Sequence, residues 1–589
     1  MSLAALPDAG AAFLGVERSL SGRRWVGPDA GEDRLTEAMV QATGLAAAVA
    51  RVLVRRGVAP EEAEGFLAPS LRDLLPDPMH LRDMGPATER FLHAVKRGEQ
   101  IAIFADYDVD GGASAALLLD WLRQMGRAAT LYIPDRIDEG YGPNEAAMSA
   151  LARDHDLIIC VDCGTLSHDA LAAAKGADVV VLDHHLGGET LPPAVAVVNP
   201  NRADEDGSLG HLCAAGVVFL MLVEAGRRLK GEGAGGPDLL SMLDLVGLAT
   251  VADVAPLVGI NRAFVRRGLE VMARRARPGL AALADVARLD RPPAAYHLGY
   301  LIGPRVNAGG RIGKADLGAR CLSTTDPAEA RSLADRLDEL NTERREIEAA
   351  VRDAALAAVE ARPPGPLAWA AGDGWHPGVV GIVAARVKEA TDRPAVVIGF
   401  DEAGIGKGSG RSVAGVDLGA AVQRVAAEGL FEKGGGHRMA AGLTVTREKC
   451  EAAMDRLGEL LARQGAGQRG PSDLAVTGLL MPGAASPELV RGIEAAGPFG
   501  MAASAPRFAF ADVAIHHARE VGQGHLKVSF GDGLGARLDA IAFGALDSPL
   551  GRALMSHGGA RFHLAGRLDL NHWGGRETVQ LRLEDGAPA

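Results

Sequence analysis

Residues 101–119 read IAIFADYDVDGGASAALLL. Ile101, Ala102, Ile103 and Phe104 form the short apolar run of a buried strand. Asp106, Asp108 and Asp110 follow at alternate positions, then Gly111 and Gly112, and an apolar helix begins near Ser114. A hydrophobic strand released through a carboxylate- and glycine-rich turn into a helix is a βα unit. In open α/β sheets, ligands sit at that carboxyl end of the strand. Three carboxylates so close repel one another unless water or a cation lies among them, and hard divalent cations take clustered oxygens. By itself the stretch leaves a solvated loop and a metal site both open.

Outward from it, strands and helices alternate. Strands are expected at 129–133, 157–161, 179–182 and 195–198, with helices at 113–124, 144–153 and 168–174. That order predicts a parallel, doubly wound sheet. Helices dominate from 214 to about 287, and 326–361 is a long charged helix closed by Pro363-Pro364-Gly365. Residues 366–465 alternate again, with strands at 367–371 and 395–399 and a helix at 379–388. After a polar break at 464–472, five strands at 507–513, 526–530, 538–543, 561–568 and 578–583 suggest a small barrel such as an OB-fold. Ahead of the first strand, 35–56 is helical in pattern and Pro60-Glu61-Glu62 starts another helix. The expected fold is α/β. Its expected segments are a helical lead-in (1–75), a first α/β domain (76–325), a connecting helix (326–362), a second α/β domain (363–465) and a C-terminal β-barrel (470–589).

A chain of 589 residues is too long for one core and suggests about three to five domains. Aromatics are only 4%, so any base-stacking platform is small. The net charge of -13 means that the overall field does not attract nucleic acid, so phosphate contacts must be local or metal-assisted. Five cysteines make no disulfide framework, which favours a reducing compartment. The stretch MSLAALPDAGAAFLGVERSL lacks the build of a signal peptide, and no run approaches the roughly 20 apolar residues of a membrane span. A soluble, cytoplasmic protein is expected.

Further strand ends carry acid or imidazole. One ends at Asp162, another at Asp183-His184-His185, and Asp253 follows the apolar run in LATVADVAPL. Parallel strands put their carboxyl ends on one edge, so these groups can converge with Asp106, Asp108 and Asp110. A mixed oxygen and nitrogen set suits Mn²⁺ or Mg²⁺ better than structural zinc. Two such metals can activate water and stabilise in-line attack on a phosphate. Helix capping would explain Asp162 and Asp183 singly; the accompanying histidine pair favours metal. Cys160 and Cys163 form a lone CxxC without a second pair, which reads as core cysteine.

Arg136 precedes EGYG, while Arg305, Asn307, Arg311 and Lys314 lie in GPRVNAGGRIGK. Arginines in flexible glycine turns can fork onto phosphates, or simply form salt bridges. Lys407, Ser409, Arg411 and Ser412, with the glycines before His437, offer turns whose backbone N–H groups can cradle phosphate. Trp375 and His376 could stack on a base, though burial is commoner for Trp. Arg266, Arg267, Arg274, Arg275 and Arg277 read as a solvated helix face.

ADYDVDG, VDCG, DHH and VADVAPL resemble the four signature motifs of the DHH phosphoesterase superfamily. IPDRIDEGYGPN, GPRVNAGGRIG, GWHPGVVGIVAAR, GSGRS and GGGHRMAAG, with GPFG, HLKVSFG, AIAF and NHWGG near the end, resemble the RecJ single-strand-specific 5′→3′ exonucleases. The resemblance runs from about residue 45 to the end. It implies Asp108, Asp110, Asp162, His184 and Asp253 as ligands of a two-metal Mn²⁺ or Mg²⁺ site. Asp106 and His185 belong to the same motifs, as ligand or leaving-group contact. Arg136, Arg305, Asn307, Arg311, Ser409, Arg411 and His437 match positions that meet DNA phosphates, and the barrel would be an OB-fold holding single-stranded DNA. Ala105 in place of Gly, and Arg438 after GGGH, depart from the pattern without removing a ligand. The implied protein is a monomeric exonuclease of the bacterial cytosol. It would degrade single-stranded DNA to 5′-mononucleotides in repair and recombination, alongside a single-stranded-DNA-binding protein and a RecQ-type helicase. A small-molecule or short-oligonucleotide phosphoesterase would not need the barrel. A non-catalytic DNA-binding scaffold would not need the full ligand set.

Overall fold

The computed structural model describes residues 11–135, 139–140, 142–467, 473–573 and 576–589. The chain forms two compact units, one of Leu75–Gly470 and one of Met1–Leu74 with Pro471–Ala589.

In the first unit, Thr130–Tyr132, Ile101–Ala105, Leu157–Val161, Asp178–Leu182 and Ala196–Val198 lie side by side in that order, all parallel. The strands IAIFA and LIICV are buried along their whole length. Continuous apolar runs of this kind suit parallel strands covered on both faces. The chain leaves Ile101–Ala105 for the strand on one side and returns to Leu157–Val161 on the other. The gap between those two strands is the topological switch point, where a crevice opens beyond the carboxyl ends. Helix Val109–Gln124 starts at once after the first strand, with Asp108 as its N-cap. Helix Leu243–Ala252 is apolar on nearly every side, is mostly buried and delivers Asp253 at its end.

The stretch read as flexible glycine turns around Arg305 and Arg311 is instead helix Gly303–Ile312, preceded by a π-helical turn, Leu298–Ile302. Its glycines serve close packing: a Cβ on Gly310 would lie 2.8 Å from the Tyr107 ring. Helix Pro327–Glu360, N-capped by Asp326, leads to a second sheet. Its order is Lys433–His437, Ala440–Thr446, Ile405–Arg411, Ala395–Phe400 and Ala368–Asp373. Only the last two are parallel to each other. The glycine-rich segments expected as phosphate-cradling turns are strands of this sheet. Added Cβ atoms at Gly406, Gly408 and Gly410 would come within 2.7 Å of Ile398, Leu443 and Leu418, so glycine there makes room for the neighbouring side chains.

The second unit is built on Phe508–Val521, His525–Gly531, Arg537–Ala542, Arg561–Trp573 and Arg576–Pro588. Pairing of the first strand with the fourth closes the barrel, and helix Pro549–Met555 joins the third to the fourth. The helical pattern at 35–56 resolves into two helices, Ala30–Thr43 and Ala47–Arg55, because Gly44 takes a left-handed conformation (φ 71°) and ends the first. Met39, Val49, Val52 and Leu53 from this pair enter the same core as Phe508, Phe510 and Phe530. Trp25, fully buried, donates its indole N–H to Asp585 at 2.9 Å. Among the described residues, no single helix is long and apolar enough to cross a membrane.

Candidate metal centre

The switch point gathers the acidic residues. Asp108 Oδ1 accepts the backbone N–H of Asp110 (2.9 Å) and Gly111 (3.1 Å), which pins the turn. Asp110 is buried, and its two carboxylate oxygens accept the N–H groups of Ala214 (2.6 Å) and Ala215 (2.8 Å). These two residues open helix Ala214–Gly231, whose positive end favours an anion. Asp162 follows the neighbouring strand with a left-handed backbone (φ 60°). Such strain in a non-glycine residue persists where the surroundings enforce it, commonly at functional sites.

His184 Nε2 stands among three carboxylates, 3.3 Å from Asp162, 3.7 Å from Asp110 and 3.8 Å from Asp253. Three overlapping sets bring their donor atoms within 4.8 Å of one another: Asp162, His184 and His185; Asp110, His184 and Asp253; Asp106, Asp108 and Asp162. Burial is the main force raising the Asp110 and Asp162 carboxyls above the usual range, with the charges of neighbouring aspartates adding to it. Burial, helped by Asp110 and Asp108, pushes Asp253 up to about 8. His184 acting on Asp110, and His185 on Asp253, pull the other way without cancelling the rise, so the cluster favours an added cation. Oxygen donors with imidazole fit Mn²⁺ or Mg²⁺. Cys160 and Cys163 do not compete, since burial pushes the Cys160 thiol up to about 12 and that of Cys163 well above its ordinary value.

Asp183 has a different position. Its Oδ1 accepts the backbone N–H of His184 (2.7 Å) and His185 (3.1 Å) and the His185 Nδ1–H (2.8 Å), and Oδ2 accepts the Thr165 N–H (3.1 Å). These bonds outweigh burial and hold Asp183 well below the usual carboxylate range. His185, although burial opposes its charge, is raised to about 9 by Asp183.

Four asparagines support the site. Asn199 Nδ2 donates to Thr165 Oγ1 and to the His185 carbonyl, both at 2.8 Å, and Asn201 Nδ2 donates to the His184 carbonyl at 2.5 Å. Both lie just past Ala196–Val198, on the same sheet edge as the clustered aspartates and histidines, which is the signal that would have found them. Asn261 Nδ2 ties the His211 carbonyl (2.6 Å) to that of Pro256 (3.0 Å), joining the segment after Asp253 to the one before helix Ala214–Gly231. Asn307 Oδ1 accepts the Val109 N–H at 3.1 Å, so its oxygen holds the metal turn.

The expected phosphate contacts lie as follows. Arg305 bonds Asp338 (2.8 Å) and the Leu301 carbonyl (2.7 Å). Arg311 donates to the Gly378 carbonyl at 3.1 Å, and Arg411 to Ser409 Oγ at 3.0 Å. A Cβ on Gly381 would lie 3.1 Å from Ser409 Oγ and 3.2 Å from Arg411, so one helix, Pro377–Thr391, brings Arg311, Ser409 and Arg411 to its first turns. His437 is exposed at the end of its strand. Arg136 lies outside the described residues. His376 accepts the Gly378 N–H as the helix cap, and Trp375 packs against Gly372 and Gly399. Arg277 departs from the solvated face expected of it: it is nearly buried and bonds Asp244 (2.9 Å) and Asp120 (3.3 Å).

Residues 100–250 match the DHH family N-terminal domain, 364–463 the DHHA1 domain and 477–585 the RecJ OB domain. The chain is 38% identical over 565 residues to a Dickeya dadantii (strain 3937) protein named single-stranded-DNA-specific exonuclease RecJ, covering 92% of this chain and 96% of that one. The similarly named Escherichia coli (strain K12) protein is 36% identical, over 91% and 95% of the two chains. The crystal structure of RecJ in complex with Mn²⁺ from Thermus thermophilus superposes with a TM-score of 0.77 at 29% identity, covering 95% of this chain and 79% of that one. A crystal structure of exonuclease RecJ bound to manganese gives 0.58 at 34% identity, covering 66% and 97%. Three domain matches in this order, and relatives aligned over more than nine-tenths of their length, mean that the chain belongs to the RecJ family of DHH-domain proteins.

Proposed function

We propose that this chain is a metal-dependent exonuclease that degrades single-stranded DNA from the 5′ end to 5′-mononucleotides in DNA repair and recombination. The observation that carries the reading is the convergence of Asp110, Asp162 and Asp253 on His184 Nε2 at the switch point. The names of the relatives, and the Mn²⁺ in the titles of related structures, support it.

Asp108, Asp110, Asp162, His184 and Asp253 would hold Mn²⁺ or Mg²⁺, with Asp106 beside them. A divalent cation there supplies two things: a lowered pKa for an attacking water and charge to offset that building on the phosphate. The chain's own groups do the rest. Ala214 and Ala215 aim the Asp110 carboxylate. Asp183 takes the Nδ1–H of His185 and favours a cationic ring, which would donate a proton to the departing 3′-oxygen. Arg136, Arg305, Asn307, Arg311, Ser409, Arg411 and His437 would grip phosphates locally, as a chain of net charge -13 requires. The division of labour follows the segments: 76–325 for chemistry, 363–465 for phosphate contacts across the connecting helix 326–362, and 470–589 for holding the strand. The N-terminal 1–75 shares its unit with the barrel. A monomer of the bacterial cytosol, working with a single-stranded-DNA-binding protein and a RecQ-type helicase, completes the reading.

The test is digestion of end-labelled single- and double-stranded DNA with Mn²⁺, Mg²⁺ or EDTA. Single strands should shorten from the 5′ end with metal only. Asp162→Ala should abolish hydrolysis and leave DNA binding intact. Full Mn²⁺-dependent activity in that variant would sink the mechanism, and dinucleotides cleaved in preference to long strands would return the chain to the small-substrate phosphoesterases.

A further inference from the structure

Half of the second sheet is covered on one side only. Its strands Ile405–Arg411, Ala440–Thr446 and Lys433–His437 are antiparallel, so residues directly opposite one another share a face. Ala441, Leu443 and Val445 point to one face and are buried in a core with Leu418 and Met454. On the other face, helix Pro377–Thr391 packs on Ala395 and Val397, and its Gly381 borders Ser409 and Arg411. Outward from there the register sets three rows. The first is His437, Ala440 and Arg411; the second Gly435, Gly442 and Ser409; the third Lys433, Thr444 and Lys407. Successive rows lie about 7 Å apart along the strands.

The metal centre uses neither of the two farther rows. A Cβ on Gly435 or Gly442 would meet nothing within 4 Å, so the middle row is an open floor. Lys407 and Lys433 are exposed, and neither has an ion pair among the described residues. These two rows hold cations, hydroxyls and glycine, with no carboxylate and no ring. In a chain of net charge -13, a surface of this make-up selects anions. The body of a single strand brings bases, which call for rings to stack on. Phosphates without bases need only charged and hydroxyl donors.

We propose that this face receives the β- and γ-phosphates of a strand that ends in a 5′-triphosphate, with Lys407 and Lys433 as their partners. The inference rests on the exonuclease reading, in which the terminal nucleotide's own phosphate lies with Arg311, Ser409 and Arg411. The outer phosphates then cross the glycine floor toward the lysine row. Ends of this kind belong to strands begun from a nucleoside triphosphate rather than made by cleavage. The first cut breaks the bond between phosphorus and the 3′-oxygen of the terminal nucleotide. Water adds its oxygen to that phosphorus, which becomes the 5′-phosphate of the shortened strand, and one proton to the 3′-oxygen. A nucleoside triphosphate leaves.

The experiment binds the full chain, in EDTA, to 3′-labelled oligo(dT) carrying a 5′-hydroxyl, a 5′-monophosphate or a 5′-triphosphate. Wild type should hold the triphosphate strand about tenfold more tightly than the monophosphate strand. Lys407→Ala combined with Lys433→Ala should erase that preference, Lys407→Arg should keep it, and affinity for the hydroxyl strand should stay the same in all. With Mn²⁺, wild type should release dTTP from the triphosphate strand before any dTMP. The double variant should show a raised KM for that strand and wild-type kinetics on the monophosphate strand. Equal wild-type affinity for the two phosphorylated strands would overturn the proposal. So would an equal loss by the double variant on all three strands, which would place interior phosphates on the face. ATP displacing the triphosphate strand as strongly as that strand displaces itself would make this a free-nucleotide site and overturn it too. If wild type cuts no strand with Mn²⁺, the exonuclease reading fails, and the EDTA comparison still decides the face.

Discussion

Two adjacent glycines give the sharpest test of how the metal turn is held. Gly111 and Gly112 both lie in the first turn of helix Val109–Gln124. Intrinsic propensity favours alanine over glycine at either by up to about 1 kcal/mol. Their surroundings differ. A Cβ on Gly111 would lie 2.5 Å from the Asp106 carbonyl oxygen and 2.8 Å from the Asp106 nitrogen, backbone atoms with no rotamer to yield. A Cβ on Gly112 would meet Ala319 at 3.5–3.6 Å, ordinary contact. Overpacking costs about 1–3 kcal/mol, so Gly111→Ala should destabilise by roughly 1–2 kcal/mol net, whereas Gly112→Ala should be neutral or stabilising. The displaced backbone carries Asp106 and Asp108, so Gly111→Ala should also weaken Mn²⁺ binding about 10- to 100-fold, the scale of lost support around a metal. Urea unfolding in EDTA reads the first effect and Mn²⁺ titration by calorimetry or electron paramagnetic resonance the second. Equal behaviour of the two variants in both assays would refute the claim that the Asp106 backbone dictates glycine at 111.

Asn307→Leu removes the acceptor of the Val109 N–H and the amide N–H groups proposed to meet phosphate; it should weaken both Mn²⁺ binding and oligonucleotide binding in EDTA, and unchanged Mn²⁺ affinity would refute its role in holding the turn. Asp183 is lowered in the fold and His185 raised to about 9, so their pairing stabilises most between about pH 4 and 6.5. The stability difference between wild type and Asp183→Asn should therefore shrink as pH rises through 9 or falls well below 4, measured by urea unfolding in EDTA. Asp253, raised to about 8 without metal, prefers its neutral form in the fold; metal-free protein should lose stability as pH rises from 4 through 8, and Mn²⁺ should cancel that loss in a thermal melt.

The strand ends that carry Asp106–Asp110, Asp162 and Asp183–His185 were legible because period and burial coincide there: each is a short apolar run closed by acid. Asp253 was legible for the same reason. The backbone partners of Asp110 were not, since Ala214 lies 104 residues away and nothing local marks a helix start as a carboxylate's cap. The glycine-rich segments misled in one direction. Glycine reads as a turn when only the chain is known, yet at 303–312 and 405–411 it records the closeness of Tyr107, Ile398 and Leu443. Arg277 reads as solvated because neither Asp120 nor Asp244 is near it in sequence. Sequence order likewise made 1–75 a prelude to the catalytic domain, while its apolar faces fit the barrel core.

That last arrangement sets a timetable for synthesis. Val49 and Leu53 share a core with Ile493 and Phe508, so a ribosome moving at about 5–20 residues per second delivers the partners roughly 20–90 s after the helices that need them. All the residues proposed to hold metal emerge in between. During that interval the N-terminal helices hold exposed apolar faces and wait, a target for chaperones and proteases. A chain cut short before Asp585 would lose the partner of Trp25 and loosen its own beginning, even though every group proposed to handle metal had already been made.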